Sequence, residues 1–143
     1  MAKPTRPLKF RTMDEIACVR TTGGVAGAML APGMHLNVMG AHDPHEREID
    51  TAAVRRARVF VDAREQAFAE KGELLVPIAE GAIDASHIVA QIGTVLEGRA
   101  GGRGSDDEIT LFKSLGLAVE DVAAACHVAR AADEDDAGTV VEM

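Results

Sequence analysis

Short apolar runs bounded by turn residues alternate along this chain with stretches of helical periodicity. Ile16 to Arg20 reads IACVR, Met34 to Met39 holds HLNV between Gly33 and Gly40, and Arg58 to Val61 reads RVFV. Each is too short for a helix and apolar enough to be covered on both faces, as buried parallel strands are. Helical signals follow them. Asp50 is placed to cap TAAVRRA, and Asp62 to cap Ala63 to Glu70. This order predicts an α/β fold: a layer of mostly parallel strands with flanking helices and a long C-terminal helix.

Further along, Lys71-Gly72 is expected to stop a helix. Leu74 to Val76 reads as a short extended piece closed by Pro77, and Asp84 to Ser86 as a turn or short helix. Ile88, Ile92, Val95 and Leu96 form a helical stripe, so Ile88 to Leu96 is expected to be helix, followed by a flexible loop from Gly98 to Gly104. Ser105 and Glu108 make an S-x-x-E capping box with Asp106 and Asp107 in its first turn, which predicts a helix from Asp106 to Lys113. A longer helix is expected from Leu117 to Ala132, with Val119, Val122, Ala123, Cys126 and Ala129-Arg130 on one stripe.

Composition narrows the partners. The 143 residues suffice for one domain, and with 3% aromatic residues and no Trp or Tyr the core must come from Ala, Val, Leu, Ile and Met. The formal net charge of −8 disfavours nucleic acid and anionic membrane surfaces, both of which select cationic patches. No apolar run reaches the roughly 18–20 residues that span a bilayer. Cys18 and Cys126 lack CxxC spacing and read as two buried, reduced thiols of a cytoplasmic protein. The basic start, residues 1–13, reads as a disordered leader, residues 14–132 as the folded domain, and the acidic residues 133–143 as a disordered tail.

Four segments together resemble the ornithine cyclodeaminase / mu-crystallin family. They are EIACVRTTG, PGMHLNVMGAHDPHEREID, ARVFVDAREQAFAEKGELLVPIAEG and GSDDEITLFKSLGLAVED, in the family's order and spacing. The resemblance implies a partial Rossmann-like layer, NAD or NADP as cofactor and a small amino acid or cyclic imine as substrate. The implied chemistry is amino-acid or imine oxidoreduction, or deaminating cyclisation. It implies that Thr21, Thr22, Gly40, Ala41 and Ser114 line the cofactor, with Gly40, Ala41 and Ser114 at the nicotinamide end. His42 stands where cyclodeaminases carry a catalytic Asp, with Asp43 one step later; this departure favours reductase over strict cyclodeaminase chemistry.

Each position has a plainer reading. His42 and Asp43 fit a solvent-exposed loop, Thr21 and Thr22 an ordinary turn after a strand, and Ser114 a cap for the following helix. Arg47 and Glu48, the family's RE pair, read as a salt bridge or loop anchor. A metal site among His42, Asp43, His45 and Glu46 is disfavoured by Pro44 between them. No G-x-G-x-x-G occurs in the chain, so the pyrophosphate-binding turn of a dinucleotide fold is not found. The resemblance therefore implies a sequence beginning at about the fourth Rossmann strand, active with a complementary chain or as a homo-oligomer. The alternative is a non-catalytic interaction protein derived from the family.

Overall fold

The computed structural model describes residues 24–40, 46–70, 72–114, 116–139 and 141. Four strands, β1 (His35–Val38), β2 (Arg58–Val61), β3 (Ile88–Gln91) and β4 (Thr110–Lys113), form one sheet in the order β1-β4-β2-β3. Every pairing is parallel. Five helices accompany them: α1 (Thr51–Arg56), α2 (Arg64–Glu70), α3 (Gly72–Ala79), α4 (Ile92–Leu96) and α5 (Ala118–Glu134). The α/β layer expected from the alternation is thus present, and the expected strand Ile16 to Arg20 lies outside the described residues.

Local chemistry accounts for the helix starts. The Asp50 carboxylate accepts from the Ala53 amide at 2.7 Å and also from the Gly27 amide at 2.8 Å, so it caps α1 and fixes the turn beside it. Asp62 accepts from the Ala63 amide at 2.8 Å just before α2. Asp84 caps the short 3-10 turn Ala85–His87 through the Ser86 amide. Helix α5 runs to Glu134, two residues into the segment expected to be a tail.

Three expectations fail, each because packing across the chain outweighs a local signal. The segment from Asp106 is not a helix. Ser105 and Glu108 close a tight turn, with the Glu108 amide donating to the Ser105 carbonyl, and the chain then enters β4. The Glu108 side chain does reach back to a backbone amide, that of Gly104, and it pairs with Arg58. The box geometry is thus used, while ITLFK takes a central position between β1 and β2. Residues Ile88 to Gln91 form an edge strand whose burial alternates, Ile88 and Ala90 inward, before α4 begins at Ile92.

Leu74 to Val76 lies inside α3, with Pro77 in the same helix. Proline removes one helical hydrogen bond, but Leu74 is fully buried and Pro77 nearly so, one turn apart on the inner face. The helix ends at Ala79, and Gly81 beyond it, at φ +68°, takes the left-handed conformation that closes a helix C-terminus.

The core joins Leu36 and Val38 of β1, Val59 and Val61 of β2, Leu111 of β4, Val54 of α1 and Leu74 of α3. Methionine contributes less than composition implies: Met34 only packs against the core, while Met29 and Met39 are exposed. Cys126 is exposed on α5, contrary to the expectation of a buried thiol, and Cys18 lies outside the described residues. The 98–104 loop is tied down by Arg103, which donates to the Met34 carbonyl and to Thr110 Oγ1.

His35 sits half-buried at the start of β1, its Nδ1 2.7 Å from Thr110 Oγ1 and its Nε2 3.2 Å from Asn37 Oδ1. Asn37 can only accept at Oδ1, so the proton belongs on Nε2, and Nδ1 accepts from the threonine hydroxyl. Burial pushes the His35 pKa down from its ordinary 6.5, the Asn37 hydrogen bond opposes this, and the Arg103 charge adds to it. The unfolded chain therefore takes up a proton before the folded one does. Stability from this group is complete above about pH 6.5 and falls as the pH drops toward the lowered folded value. Urea-unfolding midpoints at pH 7.5 and 5.5 are expected to differ more in the native protein than in a His35→Gln variant; equal differences would remove His35 as the cause.

Candidate functional site

Parallel pairing brings all four strand ends to one edge, the edge at which open α/β sheets bind ligands. Val38 and Val61 both lie opposite Lys113, and Val61 lies opposite Gln91. The residues that follow those positions, Met39-Gly40, Asp62 and Ser114, form the rim.

Ser114 extends the ladder past β4, donating its amide to the Val38 carbonyl at 3.1 Å. Its hydroxyl donates to Asp62 Oδ2 at 3.3 Å and accepts from the Gly116 amide at 3.2 Å. Gly116, at φ +75°, turns the chain toward α5. The expected helix cap at Ser114 is not formed: Leu117 is the N-cap of α5, and it makes no side-chain cap bond. Across the rim, the Glu120 carboxyl, though exposed, is held above its ordinary value, first by partial loss of hydration and then by the charges of Asp62 and Asp121.

Gly40 donates its amide to Glu48 Oε2 at 2.7 Å. A Cβ here would lie 2.0 Å from Glu48 Oε1, so only glycine leaves room for that carboxylate. Glu48 is therefore a loop anchor, while Arg47 turns to Thr51 at 3.1 Å and Glu80 at 3.8 Å. Glu48 also lines a depression of about 190 Å³ with Gly24, Val25, Ala26, Arg47, Ile49 and Asp50. Gly40 and Ser114 are thus brought to the same edge through Val38. Thr21, Thr22, Ala41, His42 and Asp43 lie outside the described residues. Among the described residues no group of His, Cys, Asp or Glu side chains converges as a metal site.

Beneath the rim, Lys113 Nζ lies 3.4 Å from Glu73 Oε1, and neither side chain has any solvent exposure. Glu73 Oε1 also accepts from the Glu48 amide at 3.1 Å. Sequence reasoning missed this pair. The available signal was a lone charge in each of two apolar runs, LFKSL and GELLVP.

A family model described as ornithine cyclodeaminase/mu-crystallin matches residues 12–136. The chain belongs to that family. Among relatives, it is 40% identical over 115 residues to a Delta(1)-pyrroline-2-carboxylate reductase of Bacillus cereus, covering 80% of this chain and 35% of that protein. Among solved structures, it resembles the Thermococcus litoralis Delta(1)-pyrroline-2-carboxylate reductase in complex with NADH and L-proline. The identity there is 38% and the TM-score 0.71, over 82% of this chain and 36% of that one. An archaeal alanine dehydrogenase dimer with bound NAD gives 36% identity and a TM-score of 0.67, over 83% and 37%. The chain thus spans little more than a third of the length of these relatives.

Breaking a buried ion pair leaves a charge without compensation. Glu73→Ala is expected to lower stability by about 3–5 kcal/mol. Replacing both partners, Glu73→Leu with Lys113→Met, is expected to recover most of that loss in chemical denaturation. A double variant no more stable than Glu73→Ala would show that the charges are not what the site balances.

Proposed function

We propose that this chain carries the nicotinamide side of an NAD(P)-linked active site that reduces a cyclic imino acid to the corresponding amino acid. The observation that carries the reading is the junction of Ser114 and Gly40 at the C-terminal edge of a parallel sheet. The two flank Val38, one through its carbonyl and one two residues along the chain. The groups there suit that end of a dinucleotide: a hydroxyl oxygen, oriented by Asp62, that can accept from a carboxamide, and a glycine that adds no side chain of its own. They do not include a glycine-rich pyrophosphate turn.

The bound reduced cofactor would supply a hydride to the imine carbon. The chain's own part is to orient and to protonate. Ser114 and the Gly40-Ala41 backbone would hold the ring's place, with Thr21 and Thr22 assigned to the same cofactor. His42, next to Asp43, would give the proton that the imine nitrogen takes up. A histidine is suited to this near neutral pH, where it can carry the proton and give it up. The reductase names of the relatives, and the proline bound in one of them, support this substrate class over ornithine.

Calorimetric titration of the folded chain with NADH and NADPH is expected to show micromolar binding, weakened about tenfold by Ser114→Ala through loss of one hydrogen bond. No binding at millimolar cofactor would contradict the proposal.

One observation favours a second reading, in which the chain serves as an oligomeric interaction module. No residue of α5 is buried, and Val119 and Val122 are 68% and 61% exposed on one stripe. Under either reading the chain is expected to self-associate. Light scattering at micromolar concentration should show a mass above 15.0 kDa; a clean monomer would exclude self-association through this face.

A further inference from the structure

A closed circuit of contacts underlies the rim. The Gly40 amide donates to the Glu48 carboxylate at 2.7 Å. The Glu48 amide donates to Glu73 Oε1 at 3.1 Å, and Lys113 Nζ meets the same oxygen at 3.4 Å. Lys113 precedes Ser114, whose amide returns to the Val38 carbonyl at 3.1 Å, two residues before Gly40. One carboxylate oxygen, fully enclosed, is thus shared by the loop that holds Gly40 and the strand that presents Ser114. Glu73 Oε2 is buried and has no hydrogen-bond partner among the described residues. An uncompensated buried oxygen is costly. Its placement follows the two donors on Oε1 rather than the satisfaction of Glu73 itself.

We infer that Glu73 and Glu48 act in series as positioning residues, fixing the Gly40 amide relative to Ser114 at the sheet edge. This inference rests on the proposed cofactor site for its functional meaning, but the circuit itself is testable without cofactor. Glu48 orients the glycine turn directly. Glu73 does so at one remove, by holding the Glu48 backbone against the Lys113 end of β4. A role in stability alone predicts something different: loss of Glu73 would lower the unfolding midpoint and leave Gly40 as it is.

The test is amide hydrogen exchange by nitrogen-15 NMR on the full chain, comparing the native protein with E48A, E48Q and E73A. Gly40 is expected to exchange about tenfold or more faster in E48A, which removes its acceptor. E48Q retains an acceptor oxygen and should restore most of the protection. E73A, which removes the oxygen that accepts from the Glu48 amide, is expected to speed Gly40 exchange and shift its resonance although Glu48 is intact, with Leu36 in mid-strand unaffected. NADH affinity should fall in E48A and recover in E48Q, at an unchanged melting temperature.

Gly40 protection in E48A equal to the native protein would overturn the inference. So would an E73A variant that is folded with Gly40 unperturbed. If E73A does not fold, the E48A and E48Q pair decides. Failure of the native chain to bind NADH would overturn the proposed function, whereas the exchange of Gly40 would still decide the circuit.

Discussion

The buried pair of Lys113 and Glu73 sets conditions that much of the fold has to meet. Two charges removed from water compensate each other only when they face one another closely, and here one oxygen, Glu73 Oε2, is left without a hydrogen-bond partner among the described residues. Lys113 reaches Glu73 only if β4 lies between β1 and β2, which places its last residue over the inner end of α3. Glu73 reaches Lys113 only if residues 72–79 are helical, despite the proline within them. The glutamate then takes the Glu48 amide as well, and so ties in the loop before α1. The strand order, the proline-containing helix and the anchored loop are therefore coupled by one interaction.

That coupling explains which parts could be read from sequence. Strands β1 and β2 and helices α1, α2 and α5 announce themselves locally, by glycine boundaries, by Asp50 and Asp62 at helix starts, and by period. The errors fall where the environment decides. Ser105 to Glu108 has the residues of a capping box, and Glu108 bends back as such a residue does. Yet a box states only that a turn is favoured. Whether a helix follows depends on what awaits Thr110 to Lys113, and two strands with open edges await them. Likewise, Ile88 to Gln91 fits either period over four residues, and only the free edge of β2 selects the strand.

The candidate site divides along the same line. Gly40 and Ser114 were singled out by motif order, and the strand pairing shows why both stand at one edge. Glu48 was legible as an anchor, though not what it anchors. Glu73 and Lys113 were not legible as a pair: forty residues separate them, and each alone resembles a surface charge interrupting an apolar run. Their encounter is a property of strand order, which no local pattern encodes.

The scarcity of aromatic residues has a structural use beyond limiting the core to aliphatic side chains. At Gly27 an added Cβ would lie 2.7 Å from the Ala52 and Ala53 backbone. Ala53, Ala57 and Ala67 are likewise buried where helices meet the sheet layer. Small residues let α1 approach the Gly27 turn closely enough for one carboxylate, Asp50, to cap the helix and hold the turn at once. Larger side chains would bury more area per residue, but would separate these segments and give up that double use. Because α1 follows directly from Glu48, the close packing also fixes where the anchor of Gly40 begins. Placement of the rim thus depends on contacts between alanines and glycines as much as on the charged groups that face it.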